Sequence, residues 1–144
     1  ARSYAYYYMT EAEKFSGMPY NLDDDPNVSQ KYLGYGYESR SPNVSIQVAA
    51  TENKIVMYNG KVIKTPYFSS SDGVATKSAE EVWSWTNTPW LISVDDSVCT
   101  DSSGSFEGHG VGLSGCGATE MAISGKTYGE IIRYYYTGVD IGNL

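Results

Sequence analysis

Basic charge is in deficit. Ten lysines and arginines face 17 aspartates and glutamates, for a net charge of −7. A nucleic-acid-binding surface needs a basic patch or stripe, and adsorption to anionic lipid needs clustered cations. The balance argues against both partners. Long apolar runs are missing as well. None approaches the ~20 residues of a membrane span, so no span is expected in this chain. Histidine occurs once, as His109, and cysteine twice, as Cys99 and Cys116. Zinc needs three or four N, S or O ligands, and those three residues would supply three only by converging. No metal and no other cofactor is expected. The start, Ala1-Arg2-Ser3-Tyr4, shows no initiator Met, basic n-region or apolar h-region. The expectation is that a leader has been removed or that residues lie upstream.

What the chain does have is aromatic and glycine content. Of 144 residues, 41% are hydrophobic and 14% aromatic, with 14 tyrosines and 15 glycines. That excludes a disordered chain and fits one loop-rich domain. Cys99 and Cys116 allow one disulfide, which would restrict the unfolded chain by roughly 3 kcal/mol. The count alone equally allows two reduced, buried thiols.

Periodicity predicts a helix over residues 1–16, stopped by Gly17 and Pro19, then a long loop over 20–40. Ser41-Pro42 opens a second helix, with Ser41 as N-cap and Pro42 at the first helical position. The runs 54–58 and 61–65 flank Asn59-Gly60, the strongest short hairpin signal. Ser78 and Glu81 have capping-box spacing for a short helix to about Trp85. A short strand over 90–94, a loop over 95–108 and a glycine-dense turn over 108–117 follow. Helices are then expected at about 118–124 and at 128–136, the latter capped by Thr127. The expectation is α+β: a single mixed domain with a β-hairpin (about 54–68), several short helices and long Gly/Ser-rich loops.

Several chemical motifs fail on inspection. Asp23, Asp25 and Asn27 fall at the first, third and fifth positions of a calcium loop. Val28 then occupies the obligatory glycine position and Gly34 that of the final glutamate. Gly110 to Gly115 satisfies G-x-G-x-x-G, but no apolar strand precedes it. The G-x-S-x-G elbow of a serine hydrolase is absent, since Gly115 is followed by Cys116. A Cys116/His109 dyad would fail if Cys116 is disulfide-bonded. There remains a polar, aromatic set suited to neutral polyols. Hydroxyls pair with Ser, Gln, Tyr and His, and sugar C–H faces stack on rings such as Trp83, Trp85 and Trp90. The tryptophans could equally be core.

Six segments, in order, resemble the SpoIID/LytB family of bacterial cell-wall proteins. Ala1 to Ala5 is similar to the family's A-R-[ST]-Y-A helix, and Ser29 to Gly34 to its S-Q-x-Y-x-G segment. Thr51 to Gly60 resembles T-x-G-x-[VI]-x-x-Y-x-G, with Asn53 for the usual Gly. Tyr67 to Gly73 resembles Y-[FH]-x-[ST]-S-G-G, with Asp72 for the first Gly. Gly108 to Ala118 resembles G-H-G-V-G-M-S-Q-Y-G-A, and Tyr128 to Tyr136 the closing Y-x-E-I-L-x-[YH]-Y-Y helix.

The resemblance implies a peptidoglycan-directed, extracytoplasmic SpoIID-like domain over residues 1–144. SpoIID-type members are lytic transglycosylases that cleave the MurNAc–GlcNAc bond during sporulation or wall turnover. One Glu gives and then takes a proton while the sugar's 6-OH closes a 1,6-anhydro ring. LytB-type members instead modify a wall amidase, so a non-catalytic wall-binding or amidase-modifying module is the alternative. The family's catalytic Glu lies upstream of the A-R-[ST]-Y-A helix, so it is expected outside this chain, and no catalytic residue is assigned. By carry-over, Arg2, Gln30, Tyr32, Ser70, Ser71, His109 and Ser114 are expected to bind glycan strands, with Arg2 orienting a carboxylate. Gly115-Cys116 stands where the family has Gln-Tyr, which favours a Cys99–Cys116 disulfide and an oxidising location. The His/Cys zinc site of some members does not carry over, because residues 20–34 hold neither residue.

Overall fold

Lys54-Ile55-Val56-Met57-Tyr58 and the residues after Gly60 pair as expected around a turn in which Asn59 and Gly60 have φ of 50° and 75°. Both central residues of a type I′ turn need positive φ, which Asn-Gly tolerates best. In the computed structural model, which describes residues 1–25, 27–30, 33–100 and 104–144, this hairpin is part of a mixed α+β fold. The elements are α1 (Arg2–Thr10), α2 (Tyr37–Arg40), α3 (Pro42–Ala50), β1 (Lys54–Tyr58), β2 (Lys61–Val62), β3 (Tyr67–Phe68), α4 (Ala79–Trp83), β4 (Leu113–Ser114), α5 (Gly115–Ile123), α6 (Tyr128–Tyr135) and β5 (Asp140–Asn143). A three-stranded sheet has the order β2-β1-β5, and β3 and β4 form a separate parallel pair. Two compact units result: residues 1–56, 62–64 and 141–144, and residues 57–61 and 65–140.

In the first unit, Tyr4 and Tyr8 of α1 are buried, as are Ile55, Val56, Val62 and Ile63. The Val56 N–H donates to Ser3 Oγ at 2.9 Å, fixing α1 to the strand. The helix stops at Thr10, not at 16. Lys14 explains why: its ammonium lies 5.7 Å from the Tyr4 ring centre and 5.2 Å from that of Tyr8. A straight helix would carry Lys14 about 15 Å beyond Tyr4 along the axis, so the chain folds back instead. The expected loop over 20–40 holds the single-turn α2. Ser41 precedes α3 as foreseen, but its side chain makes no capping bond. The other end of α3 is served by Arg2, whose guanidinium donates to the carbonyls of Val48 (3.0 Å), Lys54 (3.2 Å) and Thr51.

In the second unit, β3 pairs with β4 in the register Tyr67 to Leu113 and Phe68 to Ser114. α4 starts at Ser78, whose Oγ accepts the Glu81 N–H at 3.1 Å, and ends at Ser84 in the left-handed region (φ 57°). The expected strand over 90–94 is not formed. Thr76 takes its backbone partners: Thr76 N–H donates to the Val94 carbonyl at 2.8 Å, and Val94 N–H donates to Thr76 Oγ1 at 3.0 Å. A hydroxyl standing in for a ladder partner prevents a regular strand. α5 begins three residues early, at Gly115, because Ser114 caps it. α6 carries the full capping box between Thr127 and Glu130, a device worth about 1 kcal/mol. Its Ile131 and Tyr135, four residues apart, face the core.

Candidate functional site

Of the residues expected to bind a ligand, Ser70, Ser71, His109 and Ser114 belong to the second unit and Arg2 and Gln30 to the first. Tyr32 lies outside the described residues. Gln30 donates to the Ala1 carbonyl at 3.4 Å. Arg2 donates to the Val48 and Thr51 carbonyls at the end of α3 and to the Lys54 carbonyl at the start of β1.

Ser71 and Ser114 each hold local backbone. Both are fully buried. Ser71 Oγ accepts the Gly73 N–H at 3.1 Å, holding the turn after β3. Ser114 Oγ accepts the Gly117 N–H at 3.2 Å, capping α5. Each hydroxyl shapes the backbone beside it from beneath the surface.

His109 is half-buried, and the loop that carries it is built by close backbone approach. Gly112 has φ of 80°, and a Cβ there would lie 2.2 Å from the Pro66 carbonyl oxygen. Only glycine permits that approach. The Val111 N–H donates to His109 Nδ1 at 3.0 Å. This bond selects the neutral tautomer with its proton on Nε2. The ring is set among aromatics: its centre is 4.8 Å from that of Trp83 and 5.8 Å from that of Phe68. Trp83 in turn lies 4.5 Å from Trp85, their planes inclined by 34°. The left-handed Ser84 between them turns the chain sharply enough to place both indoles together. Both indoles are partly exposed. The sequence leaves these tryptophans open between core and ligand platform, and the geometry gives a partly exposed indole pair beside the His109 imidazole.

Beside this loop is an open cleft of about 390 Å³. Ser69, Ser70 and Glu107 form one wall, and Cys116, Thr119 and Glu120 of α5 the other. Sequence reasoning missed Glu107 and Glu120, since neither lies in a recognisable acid pattern. Ser70 and Glu107 are joined as an antiparallel bridge, with Glu107 N–H donating to the Ser70 carbonyl at 2.9 Å and Ser69 N–H to the Glu107 carbonyl at 3.1 Å. Cys116 is bonded to Cys99 with Cα atoms 5.2 Å apart. Behind the first turn of α5, Tyr135 and Asp96 are both fully buried. Burial, and then the Asp96 carboxylate, hold the Tyr135 hydroxyl well above the usual phenol range.

Among the described residues no group of three or more His, Cys, Asp or Glu side chains is placed to hold a metal. No helix there is long and apolar enough to cross a membrane.

No family model matches the chain. It is similar to the stage II sporulation protein D of Bacillus subtilis (strain 168), with 24% identity over an alignment of 188 residues covering 78% of this chain and 54% of that protein. An amidase enhancer of the same organism is 39% identical over 72 residues, covering 50% of this chain and 10% of that protein. A stage II sporulation protein D of Bacillus amyloliquefaciens is 56% identical over 34 residues, or 24% of this chain and 10% of that protein. The chain thus spans about half the length of the first of these relatives and about a tenth of the other two.

Proposed function

We propose, from the premise that this is a SpoIID-like chain, that it serves the bacterial cell wall outside the cytoplasm as a peptidoglycan-directed domain of the lytic transglycosylase type. The similarity to a stage II sporulation protein D over 78% of the chain supports this reading. The observation that carries it is the Trp83–Trp85 ring pair beside His109. Sugar rings present C–H faces to indoles and hydroxyls to imidazole donors. Ser70, at the edge of the same loop pair, adds a further hydroxyl partner. In this reading the residues of this chain bind and orient the MurNAc–GlcNAc linkage. Transfer of the proton that breaks it is assigned to none of them.

A second reading rests on the 39% identity to an amidase enhancer: the domain binds the wall and modifies the action of an amidase on it. The two are separated by digesting naked and peptide-bearing glycan strands with the full-length protein. Anhydro-sugar or anhydro-muropeptide products by mass spectrometry are the outcome expected of a transglycosylase. Their absence, with stimulation of an added wall amidase, would establish the second reading instead. Replacing Trp85 by Ala, with the fold checked by circular dichroism, is expected to weaken glycan binding about tenfold, since an aromatic contact contributes roughly 1 kcal/mol beyond its area.

A further inference from the structure

We infer that His109 is a proton-operated latch beside the indole pair: neutral, it holds its loop by accepting the Val111 N–H, and protonated it releases that bond, so sugar binding weakens in acid. The inference rests on the wall-directed reading above and adds to it how binding at that site is regulated.

The bond from the Val111 N–H to His109 Nδ1, 3.0 Å long, lasts only while Nδ1 keeps its lone pair. A proton on Nδ1 turns the acceptor into a donor, and two N–H groups then face each other. Val111 is fully buried, so its N–H has no water to turn to, and a stranded buried donor is costly. The backbone is poorly placed to absorb the conflict. Gly108 is held against β3, where a Cβ would lie 2.9 Å from the Phe68 Cβ. The Gly110 carbonyl accepts the Lys77 N–H at 2.8 Å. Gly112 is pressed on the Pro66 carbonyl, and the Leu113 N–H donates to that same carbonyl at 3.3 Å. With the loop pinned at these points, the imidazole is the part that moves.

The ring's neighbours connect that movement to the site. Trp83 is in ring contact with both partners, the His109 centre 4.8 Å away and the Trp85 centre 4.5 Å away. Phe68 lies 5.8 Å from the imidazole, and Phe106 lies 6.1 Å from Phe68. The elements around the ring carry titrating groups of both signs. α4 has Glu80 and Glu81 in its first turn. Lys77, just before it, has its Nζ 4.6 Å from the Phe106 ring centre. β3 has the Tyr67 phenol, and the loop itself has Glu107. The acids and the Trp83 indole favour a charged ring, and Lys77 opposes it. These groups set the pH at which the latch opens. They leave its sign, because Val111 loses its acceptor at whatever pH the ring charges.

A ligand that binds the latched form alone meets only that fraction of the protein. One pH unit below the midpoint about one molecule in eleven is latched, so affinity falls about tenfold. The test follows the nitrogen-15-labelled full-length protein across the imidazole range, from about pH 8 to about pH 5. The Val111 amide resonance is expected to shift with the same midpoint as the His109 ring resonances. In His109→Asn, whose Oδ1 accepts the same N–H and does not titrate, it should stay fixed. The sugar probe is a β-1,4-linked N-acetylglucosamine tetrasaccharide, which carries no titrating group of its own. The unsubstituted protein is expected to bind it about tenfold more weakly one unit below the midpoint, and bound sugar should in turn lower that midpoint. In His109→Asn the affinity should be the same at both pH values. A Val111 resonance that stays still, or that moves with a midpoint other than the ring's, overturns the inference. So does sugar binding that ignores pH, or that depends on pH equally in His109→Asn. If the variant does not fold, coincidence of the two midpoints in the unsubstituted protein decides. Failure of the tetrasaccharide to bind at any pH tells against the wall-directed reading, while the latch is still read from the two resonances without ligand.

Discussion

Tyr135 donates its phenolic hydrogen to Asp96 Oδ1 at 2.5 Å, with both residues wholly removed from solvent. The other carboxylate oxygen, Oδ2, has no hydrogen-bond partner among the described residues. The Asp96 backbone is engaged as well, its N–H donating to the Val74 carbonyl and its carbonyl accepting the Cys99 N–H, each at 2.9 Å. The pair therefore ties α6 to the loop that precedes the disulfide. Removing the phenol would leave a buried carboxylate with neither oxygen paired. Tyr135→Phe is expected to destabilise the protein by about 2–3 kcal/mol, read as a lower urea midpoint. A smaller loss is expected in an Asp96→Asn background, where no full charge is stranded. Equal losses in the two backgrounds would show that the bond carries no such weight.

Gly117 makes room for that bond. A Cβ on it would lie 2.1 Å from Asp96 Oδ1 and 2.1 Å from the Tyr135 hydroxyl. In an exposed helix, alanine is about 1 kcal/mol better than glycine. Here the sign reverses: Gly117→Ala is expected to cost about 1–3 kcal/mol through overpacking. In a Tyr135→Phe background the penalty should shrink, because one of the two clashing atoms is gone. A stabilising Gly117→Ala would contradict the geometry.

The Cys99–Cys116 bond closes a short loop, and its removal is expected to cost about 3 kcal/mol in the chain-entropy description. The paired change Cys99→Ser/Cys116→Ser should lower the urea midpoint accordingly. Reduction of the native protein should add two hydrogens per chain by mass, and alkylation without reductant should label neither sulfur. Labelling of both would show that the bond is not formed in the isolated protein.

Elements with local chemistry were legible from the residues. Asn59-Gly60 announced the hairpin, Thr127 with Glu130 announced α6, and both follow from bonds within a few residues. What escaped depends on distant partners. Thr76, 18 residues before Val94, unmakes the expected strand. β4 and β5 are too short to leave a periodic signal. The site shows the same division. The glycine-dense loop around His109 was visible, and so was the nearness of Trp83 and Trp85 in sequence. That Ser71 and Ser114 would be buried was not, because a serine reads alike whether it meets a ligand or a backbone N–H. Glu107 and Glu120 became neighbours in one cleft through the bridge of Glu107 to Ser70, a pairing that no sequence spacing encodes.

Lys64 supplies a pH-dependent signature. Burial first, and then the Lys14 charge, push its ammonium down to about 8. Its Nζ lies 5.3 Å from the centre of the Tyr8 ring, and the Lys14 Nζ lies 5.2 Å from the same centre. Below pH 8 Lys64 is protonated both folded and unfolded, and the folded state bears the unfavourable charge. Between about pH 8 and the ordinary lysine value near 10.5, the folded protein has released this proton while the unfolded chain still holds it. The unfolded state then binds more protons, so stability rises with pH across that window. Tyr8 acts in the opposite sense above pH 10. Burial holds its hydroxyl well above its usual value, so the unfolded tyrosine ionises first and stability falls. A maximum between about pH 9 and 10.5 is expected for urea midpoints. In Lys64→Met the rise from pH 8 should flatten while the fall above pH 10 persists. A rise of equal size in the variant would assign the effect to another group.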